Sequence, residues 1–307
     1  MRTLCETFCI YEIYGLKIKS EIPIMNIPSS GGCECKYYDA TIYYGKVPKE
    51  VKHFIYKNGV IEVSKNEFLL RIIGVANYYV ANGNSIVVEP ISGGNLEEVK
   101  LFLLGTSVGV LLMQRNIIAM HGGTIALDGR GIIIAGYNGA GKSTLISAFL
   151  KDGYSFLSDD VSVVENSLDK GIIVRPGYPQ RKLCRDTIEN MGYDINKFLK
   201  VDSCRDKYAT YSDKNFLCHS VPLLYIYEIN TSRINKVEMC EILGSEKIKI
   251  LIRNIYRGEL FRYIGFNSDY FRCCVNIAKN IKVYKITRPV DGFSINDQMK
   301  LIKNSLI

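Results

Sequence analysis

The stretch that most constrains this chain is residues 131–160, GIIIAGYNGAGKSTLISAFLKDGYSFLSDD. It reads as an apolar strand, a glycine-rich loop, a helix, and a second strand that ends in two aspartates. Gly136, Tyr137, Asn138, Gly139, Ala140, Gly141, Lys142 and Ser143 spell G-x-x-x-x-G-K-S, followed by Thr144. Glycines at this spacing let the backbone curl so that successive N–H groups converge on one phosphate cluster. Lys142 is expected to reach the β/γ-phosphates of a nucleotide. Ser143 is placed to offer its hydroxyl to Mg²⁺, and the helix begun there presents the positive end of its dipole to the anion. The context supports the motif: Ile132–Ala135 supplies a strand before the loop, and Leu145, Ile146, Phe149 and Leu150 fall on one helical face after it.

The strand at 154–158 ends in Asp159-Asp160. A carboxylate at a strand end beside a phosphate loop is where such folds hold a metal or orient a nucleophile. Adjacent residues on a strand point to opposite faces, so one acid should face the γ-phosphate and the other a metal, a histidine or solvent. His121 follows an apolar strand and precedes Gly122-Gly123, where backbone can approach a ligand. Arg181 and Lys182, in RPGYPQRKL, could neutralise charge on a transferred phosphoryl group or serve as ordinary surface cations. Asp206-Lys207 is a weaker case of the same kind.

The flanking regions set the domain plan. Residues 1–92 carry short strand signals, among them CIYEIYG, VIEVS, FLLRIIG and SIVVEP, divided by turn residues. Alternation such as Leu16 and Ile18 against Lys17 and Lys19 predicts a mostly antiparallel sheet region with one wet face. Met25–Lys36 reads as an irregular loop. Residues 93–116 predict a connecting helix capped by Asn95. Within residues 117–307, short strands at Ile117–Met120 and Thr124–Leu127 are expected on either side of a break at His121-Gly122-Gly123. A helix is expected over Leu183–Met191, and further helices over Ser245–Arg257 and Leu260–Lys279. The alternation of strands and helices makes the class α/β.

Composition bounds the partners. A hydrophobic fraction of 47% can fill a core, and a net charge of +8 favours anionic partners. The charge is dispersed, with no basic stripe interleaved with aromatics, so no nucleic-acid partner is expected. Ten cysteines occur without metal-ligand spacing or a disulfide framework, which suits a reducing cytoplasm. Cys33-x-Cys35 and Cys273-Cys274 read as incidental thiols. Leu101–Met113 is too short to span a bilayer and reads as a buried helix, so no membrane association is expected. No secretion signal is read at the amino terminus. Self-association stays open.

His121 before Gly122-Gly123, the loop GYNGAGKST, Lys151-Asp152-Gly153-Tyr154 and the closing LSDD together resemble the HPr kinase/phosphorylase superfamily, in particular its kinase-only relatives in lasso-peptide and similar peptide-modification clusters. The spacings from His121 to Lys142 and from Lys142 to Asp159 are similar to those of the bacterial HPr kinases. RPGYPQRKL, the later DKY and the opening YEIYGLKIKSEIPI look like segments of the peptide kinases, so the resemblance extends over most of the chain and is weaker outside 117–185. It implies a P-loop catalytic domain of the HPr-kinase-like, PEP carboxykinase-like fold. It also implies ATP and Mg²⁺ as cofactors, Asp159 as base on an acceptor serine hydroxyl, and His121 beside it. Asn138 stands where that family usually has serine in the loop. The glycine-rich, basic carboxy-terminal loop that the HPr enzymes use for HPr is not found, so HPr is not the expected acceptor.

The expected activity is transfer of the ATP γ-phosphoryl group to a serine of a peptide or small protein. Asp159 would act as base, and Lys142 would hold β/γ charge. Ser143 and Asp160 would take the metal, with Arg181 on the equatorial oxygens. Two other readings stand beside it: a kinase of a free small molecule such as serine, and an ATP-binding regulatory module without transfer.

Overall fold

The computed structural model describes residues 8–24, 37–202, 206–211 and 214–306. The loop expected at Met25–Lys36, with Cys33 and Cys35, lies outside the described residues. The chain is mixed α/β and divides into two units, residues 1–117 with 259–266, and residues 118–258 with 267–307.

The first unit is built on an eight-stranded sheet. Its strands are β1 (Cys9–Ile13), β2 (Leu16–Ser20), β3 (Ala40–Tyr44), β4 (Tyr56–Lys57), β5 (Ile61–Val63), β6 (Glu67–Ile72), β7 (Ala76–Ala81) and β8 (Ser85–Pro90). Their order is β1-β2-β3-β8-β7-β6-β5-β4. Every pairing is antiparallel except β2–β3 and β3–β8, which are parallel. The predicted alternation is present in β2, where Leu16, Ile18 and Ser20 are buried while Lys17 is exposed. Asn95 caps α1 (Leu96–Phe102) by accepting from the Glu97 N–H. The helix continues through one π-helical stretch, Leu103–Ser107, into α2 (Val108–Gln114). This apolar run packs within the unit, and the buried Tyr78 hydroxyl of β7 donates to the Val99 carbonyl at 3.0 Å. Among the described residues no helix is long and apolar enough to cross a membrane.

The second unit carries the glycine-rich loop. Its strands are β9 (Ile118–Leu127), β10 (Arg130–Gly136), β11 (Ser155–Ser158), β12 (Val161–Ser167), β13 (Gly171–Arg175), β14 (Gln180–Cys184), β15 (Leu199–Asp202), β16 (Lys207–Tyr211), β17 (Val221–Ser232), β18 (Glu238–Ile242) and β19 (Lys282–Pro289). Its helices are α3 (Lys142–Lys151), α4 (Arg185–Asn190), α5 (Glu246–Arg253), α7 (Ser268–Asn280) and α8 (Ile295–Asn304), whereas α6 (Phe261–Ile264) groups with the first unit. The main sheet runs β10-β9-β12-β13-β17-β19-β18. β17 pairs with β13 through Val221 and Pro222 and with β10 from Leu223 onward, so β10, β9, β12, β13 and β17 form a closed circuit. Leu145, Ile146 and Phe149 of α3 share one core with Ile132 and Ile134 of β10, Tyr227 and Ile229 of β17, and Met299 and Ile302 of α8. That core holds α3, and with it the loop, against the sheet. A separate small sheet, β14-β16-β15, carries Arg181 and Lys182.

Three local expectations are corrected. His121, Gly122 and Gly123 do not break a strand; they lie inside β9, whose ladder to β10 runs unbroken from Leu127 to Gly122. Glycine is required there by close packing. A Cβ on Gly123 would sit 2.3 Å from Ile146 Cδ1 and 2.5 Å from the Asp159 carbonyl oxygen. The backbone oxygen cannot move aside cheaply, so Gly123→Ala should lower stability by ~1–3 kcal/mol, measured by denaturant titration. The second correction concerns Leu183 and Cys184, which finish β14 before α4 begins at Arg185. Partners supplied by β16, far along the chain, override the local helical pattern. Downstream, the expected helix at 260–279 is broken at Gly265, which has φ 72° at the end of α6. On α7, Cys273 is an exposed free thiol and Cys274 a buried one.

Candidate active site

The glycine-rich loop runs from the end of β10 to the first turn of α3. Gly136, Gly139 and Gly141 have φ of 139°, 84° and 100°, in the region that disfavours any side chain. Gly136 also lies so close to β17 that a Cβ would meet the Ile229 carbonyl oxygen at 2.4 Å. The Lys142 ammonium is buried beneath the loop. It donates to the Gly136 carbonyl at 2.7 Å and the Tyr137 carbonyl at 3.0 Å, and lies 3.1 Å from His121 Nε2. Burial pushes its pKa down to about 8, with Lys207 adding to the effect against Asp160. Ser143 and Thr144 follow in the first turn of α3, where Thr144 Oγ1 bonds Thr187 Oγ1 at 3.0 Å.

The chain brings His121 and the aspartate pair to this loop by strand register. His121 of β9 pairs with Val161 of β12, and the Gly122 N–H donates to the Asp160 carbonyl at 3.1 Å. His121 Nδ1 then lies 3.7 Å from Asp160 Oδ1. Its Nε2 lies 3.1 Å from Asn138 Oδ1, so it either donates there or accepts from Lys142, depending on which nitrogen carries the proton. Burial lowers the imidazole pKa by more than Asp160 raises it, which favours the neutral ring. Tyr256 stacks on the imidazole with ring centroids 5.8 Å apart.

The two aspartates form the bend between β11 and β12 rather than the end of a strand, and they differ in environment. Asp159 is 9% exposed. Its Oδ2 accepts from the Lys182 backbone N–H at 2.8 Å, while its Oδ1 is buried without a hydrogen-bond partner. Burial, and then the neighbouring Asp160 charge, raise its pKa to about 6. Asp160 is a third exposed. Its burial opposes ionisation, but Lys182, His121, Lys207 and Lys142 together hold its carboxyl below the ordinary value. Behind the pair lies a buried hydroxyl cluster: Ser162 Oγ donates to the Gly122 carbonyl at 2.9 Å and bonds Thr124 Oγ1 and Ser158 Oγ at 2.6 and 3.1 Å.

Arg181 is 7% exposed. Its Nη1 donates to Ser147 Oγ at 3.1 Å, and Ser147 Oγ donates in turn to the Ser143 carbonyl at 2.8 Å. Arg181 Nε is buried without a partner. A guanidinium held this way is tied to α3 one turn below the loop, with donor capacity left over.

No family model matches this sequence, and no curated protein matches it. Among solved structures, the Hpr(Ser) kinase/phosphatase from Coxiella burnetii aligns with 61% of this chain and 96% of its own, at 11% sequence identity and a TM-score of 0.32. This distant structural neighbour is a kinase/phosphatase; at that identity and score the likeness carries no residue role across.

Two loop supports were invisible in the sequence reading. Arg288, near the end of β19, donates through Nε to the Ala140 carbonyl at 2.9 Å and approaches the Gly139 carbonyl at 3.5 Å. The Tyr137 hydroxyl bonds Thr231 Oγ1 at the end of β17. Thr231 and Arg288 are register partners across β17 and β19, so two adjacent strand ends brace the loop together. The only local signal would have been polar residues closing two apolar strands.

The donor set bears on a metal. Among the described residues, no group of three or more His, Cys, Asp or Glu side chains is arranged to hold an ion. Mg²⁺ is ordinarily held by one or two carboxylates together with phosphate oxygens and water, so it needs no such cluster. The Asp160 carboxylate, a third exposed, and the Ser143 hydroxyl are hard oxygen donors, which fits Mg²⁺ with a nucleotide.

Proposed function

We propose that this chain is an ATP- and Mg²⁺-dependent kinase that transfers the γ-phosphoryl group to a serine hydroxyl of a peptide or small protein, in a peptide-tailoring setting in the cytoplasm. The observation that carries the reading is Asp159: a nearly buried carboxylate with one oxygen fixed by the Lys182 amide and the other unpartnered, with its pKa raised to about 6. A purely structural aspartate would have both oxygens satisfied, because an unmet buried acceptor costs about 1–3 kcal/mol. A base, by contrast, needs a free oxygen and a pKa near the working pH.

In this mechanism the P-loop amides and Lys142 hold the β/γ-phosphates. The acceptor hydroxyl donates to Asp159 Oδ1, its oxygen bonds to the γ-phosphorus, and the bond from that phosphorus to the β–γ bridging oxygen breaks. ADP leaves, and the hydroxyl proton ends on Asp159. Arg181 supplies donors for the equatorial oxygens of the transferred group. Ser143 and Asp160 would hold Mg²⁺, which supplies charge neutralisation at the β- and γ-oxygens. His121 lies between Lys142 and Asp160, 3.1 Å from the ammonium and 3.7 Å from the carboxylate, so its placement sets the space they share.

The test is incubation with ATP, Mg²⁺ and serine-containing peptides, followed by mass measurement. A gain of roughly 80 Da, one phosphate group, on serine peptides and not on their alanine versions is expected. Phosphorylation of free serine alone would move the acceptor to a small molecule, and nucleotide binding without any transfer would overturn the kinase reading.

Arg288 yields a smaller prediction. Arg288→Ala removes the brace on Ala140 and should raise the KM for ATP about tenfold, the equivalent of one charge-assisted hydrogen bond, with kcat little changed. Arg288→Lys should recover only part, since an ammonium cannot reproduce the guanidinium fork. Steady-state kinetics at varied ATP decides it.

A further inference from the structure

Glu228 is the one acid of β17, with Tyr227 and Ile229 packed into the core on either side. Side chains alternate along a strand, so Glu228 faces away from α3 and its core. It is 3% exposed. A buried carboxylate survives only where its oxygens are satisfied and its charge is met. Both conditions hold. Arg253, the last residue of α5, donates from Nε to Oε1 at 2.6 Å and from Nη2 to Oε2, and Asn230 Nδ2 donates to Oε2 at 3.2 Å. Asn254 Nδ2 donates to Oε1 at 2.7 Å and also to the Ile250 carbonyl at 2.9 Å. Burial alone would raise the carboxyl pKa, but these donors hold it below the ordinary value.

The consequence lies one bond further on. The Asn254 backbone carbonyl accepts the His121 N–H at 2.6 Å. The same short segment continues the pairing, with Met120 bridged to Ile255 and the Tyr256 N–H donating to the Ala119 carbonyl at 2.8 Å. That pairing brings the buried Tyr256 ring onto the His121 imidazole. Residues 254–256 thus form an extra edge for β9 at the point where its side chain enters the site. The segment has no regular strand of its own to hold it. Its own N–H groups close the last turn of α5, with Asn254 donating to the Ile250 and Leu251 carbonyls, and the Glu228 carboxylate anchors that end to β17 by gripping Arg253 and Asn254.

We propose that Glu228, acting through Asn254, is a positioning residue that sets the backbone of His121 and thereby aligns Lys142 and Asp160 for transfer. It touches neither nucleotide nor acceptor. The proposal rests on the kinase reading for its effect on rate, while its structural half can be read without any activity. Glu228→Gln keeps the shape and can still accept from Asn254, but it loses the charge that Arg253 meets. Asn254→Ala removes the side-chain link and leaves the backbone carbonyl.

The measurement pairs amide hydrogen exchange with steady-state kinetics on the full chain. In Glu228→Gln and in Asn254→Ala, the His121 amide should exchange at least tenfold faster, while the Ile133 and Ile134 amides in β10 keep their wild-type protection. Transfer should fall about ten- to a hundredfold in kcat, with the KM for ATP within twofold of wild type. Unchanged His121 exchange in both variants overturns the proposal, as does faster exchange with an unaltered kcat. Loss of protection throughout β10 would also overturn it, since Glu228 would then be serving the fold as a whole. Should the wild-type chain transfer no phosphate, the kinase reading fails separately, and the exchange data alone decide whether Glu228 fixes His121.

Discussion

Asp159→Asn is expected to leave nucleotide binding within a few-fold of wild type and to cut phosphoryl transfer by roughly 10²–10⁴-fold, the usual range for loss of a general base. The change is nearly isosteric, and the amide oxygen can keep the Lys182 N–H bond that Oδ2 accepts at 2.8 Å. Charge is removed and packing is kept. The same variant makes a second prediction with the opposite sign. Asp159 has a folded pKa of about 6 against an ordinary value of 3.8. The native state therefore binds more protons than the unfolded state between those two values, and stability falls as pH rises through that window. Above it the whole cost is present, about 3 kcal/mol for a shift of roughly two units. At pH 8 the asparagine variant should accordingly be more stable than wild type by up to about 3 kcal/mol, and the part of the fall in melting temperature with rising pH between 4 and 6 that Asp159 causes should be absent. Calorimetry across that range, alongside single-turnover transfer, reads both effects. An inactive variant that is also less stable at pH 8 would make Asp159 a structural residue, and equal loss of nucleotide binding and transfer would assign it to the metal.

The second large effect is expected at Lys142. Lys142→Ala removes the cation beneath the loop and should cost on the order of a hundredfold or more in transfer. The fold should survive, because the side chain's partners are two loop carbonyls and a histidine, and none of them is a charged group that the change would leave buried and unpaired. Its pKa of about 8 adds a pH signature. The ammonium is the useful form and is lost as pH rises through that value, whereas the Asp159 carboxylate is gained as pH rises through about 6. The profile of kcat/KM for the wild type should therefore be a bell with limbs near those two values, since this ratio reports the free enzyme. In Lys142→Ala the alkaline limb should vanish with the rate. Transfer at the wild-type rate would show that the loop does not hold phosphate.

How much of this was legible in the sequence depends on how far each residue's partners lie along the chain. The strand, loop and helix at 130–151 are local, and the glycine spacing announced them. That Asp159 and Asp160 would meet different surroundings was expected from strand alternation, but the pair lies in the bend between β11 and β12, so the difference in burial comes from the elements around that bend. The reading failed at His121-Gly122-Gly123, because two glycines in a row look like punctuation. Gly123 is instead where β9 passes under α3 and the Asp159 backbone, and Gly122 is where it lies against the β10 backbone at Ile134 and Ala135. It failed again at Leu183 and Cys184, whose strand exists only because β16 pairs with it. Arg288 and Glu228 were missed for the same reason: each acts on a segment distant in sequence, Arg288 on the loop and Glu228 on Asn254.

The hairpin at Asp128-Gly129 has both residues at positive φ, 47° and 74°, and joins β9 to β10 far along the ladder from His121. Between that turn and the site, His121, Gly122 and Gly123 are held in register with Val161, Ala135 and Ile134. A one-residue slip in a strand sends every following side chain to the opposite face. Insertions and deletions should therefore be tolerated freely at Asp128-Gly129 and hardly at all from Ile118 to Ala126. Over evolutionary time, length variation in descendants of this chain should accumulate at the turn, while the ten residues of β9 change by substitution only.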